Sequence, residues 1–504
     1  MNQLAPTDGL SIRGLIDKRA AETPDRVFLV DPATGRSYGY ADLRDAAATV
    51  AAKIESCGVA PGEVVAYAMG NSARSAFTIL GILYGGFIAA AVNLVAGRET
   101  IAFKLEHSEA RLVLATAMCA PSIAEALAGR SSPPSVVEVD ASFFEPSGAG
   151  APPPTVEPGA DGLLMYTSGT TGRPRGVVLT HANLIAGGAN TVEAHGLTES
   201  DRALCVLPLY HINGLCVTVM APLVSGGSVV IPERFSVSTF WSKIRDRGCT
   251  WFSVVPTQIS YLLHNAEEET ERPWTLRFGR SASAPLSPDV QQAFEERFGV
   301  PIIETMGLTE SAAQILSNPL PPGTRKTGSP GVAVGNEVII GDDKQRELPR
   351  GKEGEVLVRG PNVMRGYLKN PQASQDALTE AGWLRTGDLG RMDQDGYVFI
   401  TGRLKELIIK GGENIAPREV DEALYSHPDV IEAAAFGCDC RNYGQRIEAG
   451  VVLTAGSSAT EADLIRVCQE RIGVFKAPDR IHFFPELPKG PSGKIQRIKL
   501  ADMV

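Results

Sequence analysis

Between residues 40 and 116 the apolar positions change period several times. ADLRDAAATVAAKIESCG (41–58) spaces them as a helix does, whereas EVVAYAM (63–69) and RLVLAT (111–116) are short apolar runs. This alternation predicts an α/β unit on a mostly parallel sheet. Similar runs return in GLLMYTS (162–168), ALCVLPL (203–209), SVVIPE (228–233), WFSVVP (251–256) and FGRSASAP (278–285). Apolar throughout, several of them read as strands covered on both faces. From about residue 335 the texture shifts to short β segments divided by turns, EVIIG, GEVLVRG and GYVFITG, which predict a smaller β-barrel-like layer. After Gly402-Arg403 the pattern is mixed again over a length that suits a small α+β unit. PSGAGAPPPTVEPGA (146–160) has no period and reads as a surface connector.

One run needs a decision. AFTILGILYGGFIAAAVNLVAG (76–97) carries no charge and is long enough to span a bilayer. Gly85-Gly86 divides it and Asn93 lies near its end, so a buried helix turning into a buried strand fits it, and we expect no membrane span.

The bulk composition narrows the classes. A chain of 504 residues exceeds one compact core and should divide. The net charge of −10 lacks the basic face that nucleic acid requires and argues against an anionic membrane. The eight Cys include one close pair, Cys438 and Cys440, with no second pair to complete a zinc pattern. Free thiols in a reducing cytosol are expected. MNQLAPTDGLSIRG has neither a basic start nor an apolar run, so no signal peptide is expected and the location should be cytoplasmic.

YTSGTTGRPRG (166–176) follows a strand-like run, where open α/β sheets bind ligands. Gly169, Gly172 and Gly176 permit close approach to an anion, Thr167, Ser168, Thr170 and Thr171 offer hydroxyls, and Arg173 and Arg175 can neutralise phosphate. The spacing is not that of a Walker loop, and alone the stretch could equally be a solvated turn.

Five further stretches follow it in order: PLYHINGL (208–215), MGLTES (306–311), RTGDLG (385–390), GRLKELIIKGGENIAPREVD (402–421) and PKGPSGKIQR (488–497). The set resembles the adenylate-forming superfamily, which includes acyl-CoA synthetases, peptide-synthetase adenylation domains and beetle luciferases. The resemblance implies an N-terminal adenylation domain over 1–401, a hinge at 402–406 containing Lys405, and a mobile C-terminal lid over 407–504. It implies ATP, Mg²⁺ and coenzyme A as reactants and an AMP-forming acid–thiol ligase as the activity. By the same resemblance, Thr167, Ser168, Gly169, Thr170, Thr171 and Arg175 hold the β- and γ-phosphates, and Arg175 stands where the family usually has Lys. Thr309 contacts the α-phosphate and Glu310 ligates Mg²⁺, a hard ion suited to carboxylate oxygen. Met306, beside Gly307, stands where the family stacks an aromatic ring on adenine. Asp388 takes the ribose hydroxyls with Arg403 close by. Gly411 and Gly412 border the pantetheine tunnel, and His211 lines the passage between coenzyme A and the acid. Lys494 arrives with the lid, positions the acid and stabilises the charge that builds on the transition-state oxygens.

The acid pocket implied by the family contains Asn213, Gly214, Trp251 and Phe252, Ser281, Ser283, Ala284, and Ala313 with its neighbours Ala312 and Gln314. PLYHINGL lacks the Asp that pairs an amino-acid ammonium, so an amino acid is not expected. Hydroxyls and amides among these positions suit a small polar acid better than a long acyl chain. RSASAPLSP, SNPLP and RGPNVMRGYLKNP resemble the oxalate–CoA ligase branch. That branch has His at the positions of Asn213 and Ala313, so another short, doubly charged acid such as sulfoacetate or malonate stands beside oxalate. Medium-chain fatty acids and carrier-protein loading are the remaining alternatives. Replacing Lys494 by Ala should cost on the order of 3–4 kcal/mol in adenylation. Thioester formation from preformed acyl-AMP should be largely spared; normal ATP–pyrophosphate exchange in the variant would contradict the role.

Overall fold

The continuous apolar runs form the middle strands of two sheets, as their lack of polar alternation requires. The structure is a computed structural model that describes residues 9–93, 95–145, 155–167, 174–265, 275–490 and 494–504. In spatial order, the first sheet runs Gly366–Tyr367, Arg175–Thr180, Asp161–Thr167, Ile88–Ala91, Val64–Ala68, Leu112–Ala115 and Ser135–Glu138. Pairing is parallel from Asp161–Thr167 to Ser135–Glu138 and antiparallel at the other end. Asp161–Thr167 and Arg175–Thr180 are therefore a hairpin, with Thr167 and Arg175 paired across its mouth.

The second sheet has six parallel strands in its middle, in spatial order Val27–Val30, Ser228–Val230, Arg202–Cys205, Trp251–Val254, Phe278–Ser281 and Ile302–Leu308. Antiparallel pairs with Ala313–Ser317 and Ser37–Gly39 extend the sheet toward its edges. Residues of both sheets, among them Tyr67, Leu163, Ala203 and Trp251, share one buried core with the helices Tyr40–Ser56, Ala73–Tyr84 and His181–His195. Most of the uncharged run, from Ala76 to Ala91, is part of that core. It forms the buried end of the helix Ala73–Tyr84, a turn, and the strand Ile88–Ala91. Among the described residues no helix is long and apolar enough to cross a membrane.

The β layer expected after residue 335 is a four-stranded antiparallel sheet of Glu337–Gly341, Glu353–Arg359, Leu384–Met392 and Val398–Arg403. The C-terminal unit has its own sheet, containing Val430–Cys440 and Gly444–Leu453, and its own core around Val420, Leu424, Ala449 and Leu464. This α/β architecture with a small C-terminal α+β unit agrees with the sequence reading. All eight cysteines are free thiols.

The C-terminal unit is docked. Lys489 donates to the Tyr261 hydroxyl at 2.8 Å and pairs with the fully buried Glu432 at 2.9 Å. Arg418 donates to the carbonyls of Ile400 and Gly328, and Arg471 pairs with Asp289.

Candidate functional site

Parallel strands point their C-terminal ends, and the loops that leave them, at one crevice. His211 and Asn213 follow Arg202–Cys205, Val255 follows Trp251–Val254, Ser283 follows Phe278–Ser281, and Thr309 and Glu310 follow Ile302–Leu308. These loops enclose a cavity of about 310 Å³ whose walls include Thr167, His211, Asn213, Ser283, Thr309 and Glu310. An adjoining cavity of about 190 Å³ is lined by Met306, Ala284 and Asp388. Ser283, Gly307, Arg403 and Lys494 border both. Residues far apart in sequence are thus brought around one cleft.

On the anion side, Ser168, Gly169, Thr170 and Thr171 lie outside the described residues. Arg175 holds its guanidinium 5.5 Å from the centroid of the Tyr367 ring, a cation–π contact. The Tyr367 hydroxyl donates to Glu310 Oε1 at 2.9 Å. Glu310 is held further by its carbonyl, which accepts from Met364 N at 2.8 Å. Its carboxylate is therefore oriented on the cavity wall, and a hard cation fits it. No group of three or more His, Cys, Asp or Glu among the described residues could hold a metal ion. Such a cation would complete its shell from phosphate and water oxygens.

On the opposite side, Asp388 and Arg403 are cross-strand partners in the antiparallel sheet, and Arg403 Nε donates to Asp388 Oδ1 at 2.6 Å. The Thr386 hydroxyl accepts from Asp388 N, which fixes the turn. Lys494 sits at the junction of the cavities, and its carbonyl accepts from Gly490 N at 2.7 Å. Burial, then the Arg403 charge, lower its ammonium from the usual lysine range to about 8. His211 is lowered to about 4 by burial and then by Lys104, so it is neutral at pH 7, and among the described residues its Nε2 has no hydrogen-bond partner. A neutral imidazole nitrogen on the cavity wall can donate to or accept from a ligand.

The acid-side expectations divide. Asn213, Ser283 and Ala284 line the cavities, with Asn213 Nδ2 donating to Ser283 Oγ at 3.1 Å. Asn213 begins a wide π-type helix, Asn213–Met220, a geometry often found at functional sites. Ser283 has φ +75°, a left-handed conformation that costs a non-glycine residue about 1–3 kcal/mol. Trp251 does not line either cavity. It is fully buried, stacked on Phe278 with ring centroids 5.8 Å apart, because its face of the strand packs against the helix His181–His195. Phe252 points the other way and packs on Phe240 and Trp241. Ser281 is buried within its strand, and Ala313 is buried as the cross-strand partner of Leu308, both outside the cavity walls. Gly214 is enclosed in the helix, where a side chain would strike the Pro208 carbonyl. Gln314 is also fully buried.

Gly411 and Gly412 form an exposed hairpin turn with φ +61° and +86°, a conformation that suits glycine, and they border neither cavity. Lys405 lies in the exposed turn after Val398–Arg403. In this docked arrangement Lys494, not the double glycine, occupies the cleft.

Sequence reasoning overlooked two residues. Tyr367 was visible only as part of RGYLKNP, and its role appears when it meets Glu310 and Arg175. Arg280 lies inside FGRSASAP, where an arginine in a strand buried on both faces was itself a signal. It is 1% exposed and donates to Asn213 Oδ1 at 2.8 Å, Ser253 Oγ at 3.1 Å and Gln314 Oε1 at 2.8 Å.

Two outcomes follow. If the Lys494 ammonium acts in adenylation, kcat/KM for ATP–pyrophosphate exchange falls as pH rises through about 8, because the charged form is lost above that value. Thioester formation from preformed acyl-AMP does not share this loss. Replacing Trp251 by Ala should destabilise the fold by about 3–5 kcal/mol in urea denaturation. The ranking of acids by kcat/KM should stay unchanged; an altered ranking would put Trp251 on the cavity wall.

Comparison with known proteins places these features in context. The family model described as AMP-binding enzyme matches residues 16–368, and AMP-binding enzyme C-terminal domain matches residues 419–494. The sulfoacetate–CoA ligase of Cupriavidus necator is 46% identical over 496 residues, covering 97% of each chain. The oxalate–CoA ligase of Arabidopsis thaliana is 37% identical over 97% of this chain and 98% of that protein. Among solved structures, ATP-bound MatB from Rhodopseudomonas palustris superposes with a TM-score of 0.89 at 28% identity, covering 98% of this chain and 99% of that one.

Proposed function

The chain belongs to the AMP-binding enzyme family and is an AMP-forming acid–CoA ligase, and we propose that its acid is short, polar and doubly charged, with sulfoacetate the best fit. The observation that carries this reading is the polar end of the cavity. Asn213, Ser283 and the neutral His211 offer hydrogen-bonding groups there, and the aromatic residues Trp251 and Phe252 are turned into the core. A long acyl chain would leave these groups unpaired, which costs binding energy, whereas an anionic oxygen would be hydrogen-bonded by them. The full-length likeness to the sulfoacetate–CoA ligase supports the same acid.

The enzyme uses ATP, Mg²⁺ and coenzyme A. The acid's carboxylate oxygen attacks the α-phosphorus of ATP, forming acyl-AMP and expelling pyrophosphate. The coenzyme A thiolate then attacks the acyl carbonyl, forming the thioester and releasing AMP. Mg²⁺, when bound, neutralises phosphate charge, and Glu310, oriented by Tyr367, is the carboxylate that would hold it. Thr309 and Arg175 meet the phosphates, Asp388 and Arg403 the ribose, and Met306 covers the base with a polarizable thioether. Lys494 brings its positive charge between carboxylate and α-phosphate, two groups that otherwise repel. For the second step the lid, residues 407–504, turns about the hinge 402–406 at Lys405. That turn withdraws Lys494 and brings Gly411-Gly412 to the thiol path, since the double glycine lies away from the cleft in the docked arrangement.

A panel of short acids with ATP, Mg²⁺ and coenzyme A, scored by AMP release, tests the substrate. Sulfoacetate should exceed oxalate, malonate and medium-chain fatty acids in kcat/KM by roughly tenfold or more. Faster turnover of a medium-chain fatty acid would overturn the reading.

A further inference from the structure

We propose that Arg280 is the specificity-determining positioning residue for the second negative charge of the acid. This rests on the reading of a doubly charged substrate and identifies the group that selects it. Arg280 lies in the strand Phe278–Ser281, wholly enclosed, yet among the described residues no carboxylate pairs with it. All three side chains that receive its hydrogen bonds are neutral: Asn213, Ser253 and Gln314. Its Nε has no partner. The titratable groups that feel its charge, His195 and Cys216, are uncharged at neutral pH, since burial lowers the imidazole well below its usual value and raises the thiol to about 12. Burying a guanidinium without a counter-ion is costly, and a purely structural role at this position could be filled by an apolar side chain.

The geometry gives the charge a use. A guanidinium has donors only, so the atom of Asn213 that faces it must be the amide oxygen. Ser253 Oγ donates to that same oxygen at 3.2 Å. The amide nitrogen is thereby turned toward Ser283 on the cavity wall, where it uses one of its two hydrogens. The other is free to meet an anionic oxygen. Arg280 thus acts in two ways from beneath the wall: it fixes which end of the Asn213 amide the acid meets, and it places an uncompensated positive charge behind that amide. A sulfonate or second carboxylate seated there supplies the missing counter-charge. An uncharged group of the same shape does not.

The test compares sulfoacetate with methylsulfonylacetate, an acid of nearly the same shape whose distal group is neutral. The full-length enzyme is used, with kcat/KM measured for both acids. Wild type should prefer sulfoacetate by roughly a hundredfold. Arg280→Gln should reduce that ratio by roughly tenfold or more, chiefly through the KM for sulfoacetate, with the KM for ATP unchanged. Arg280→Lys, which keeps the charge, should restore part of the ratio. Should Arg280→Gln fail to fold, Asn213→Asp serves instead: it seats a carboxylate on Arg280, neutralises it, and should also collapse the ratio. A folded Arg280→Gln or Asn213→Asp enzyme that keeps the wild-type ratio overturns the proposal. A general loss of activity toward both acids at constant ratio overturns it as well, because that marks a structural role alone. A wild-type enzyme with no preference between the two acids contradicts the doubly charged substrate itself, a separate result.

Discussion

Bringing a carboxylate against the α-phosphate of ATP means pressing two anions together, and the arrangement of charge around the cleft answers that repulsion. At contact distance the penalty is small in water and large in a site that water has left. Positive charge must therefore be present when the groups meet, without binding the ground state so tightly that nothing is gained. Lys494, at the junction of the two cavities, is carried on the C-terminal unit. Arg403 is already partnered by Asp388 and Arg175 by the face of Tyr367, so neither is a loose charge. Burial lowers the Lys494 ammonium to about 8, so it is charged at neutral pH and loses that charge only in mildly alkaline solution.

The two sheets serve this end by geometry. Four parallel strands deliver their C-terminal loops to the crevice, and the antiparallel pair at Asp388 and Arg403 faces them from another sheet. Lys489, with Tyr261 on one unit and the buried Glu432 on the other, ties the C-terminal unit to this surface. Lys489 also pairs with Ile495 in an antiparallel bridge, so the contact that ties the C-terminal unit down lies beside Lys494.

Much of this was legible in the sequence, and the residues that were not are instructive. The cleft residues were readable through the ordered motifs that resemble a known family, which fix residue types at set places along the chain. Asn213, Ser283, Glu310, Asp388 and Lys494 all reach the cleft. Trp251 and Ser281 were misplaced because they lie within strands, where the facing layers decide which side chains meet a cavity. Ala313 fails for a related reason: its neighbourhood is set by an antiparallel turn back onto Leu308. Arg280 escaped notice because it sits in an apolar run read for its period. Only the surrounding amides and the missing carboxylate reveal that its charge is unspent. Gly411 and Gly412 form an exposed turn that borders neither cavity, a placement that motif spacing alone does not reveal.

The account turns on an acid being activated as its adenylate in a cleft selective for a second negative charge. The most direct measurement is isotopic exchange of pyrophosphate into ATP with coenzyme A omitted. Sulfoacetate should support exchange without coenzyme A, and acetate, which shares its carboxylate but lacks the distal charge, should support far less. Exchange that requires coenzyme A, or that proceeds equally well with acetate, would contradict the account.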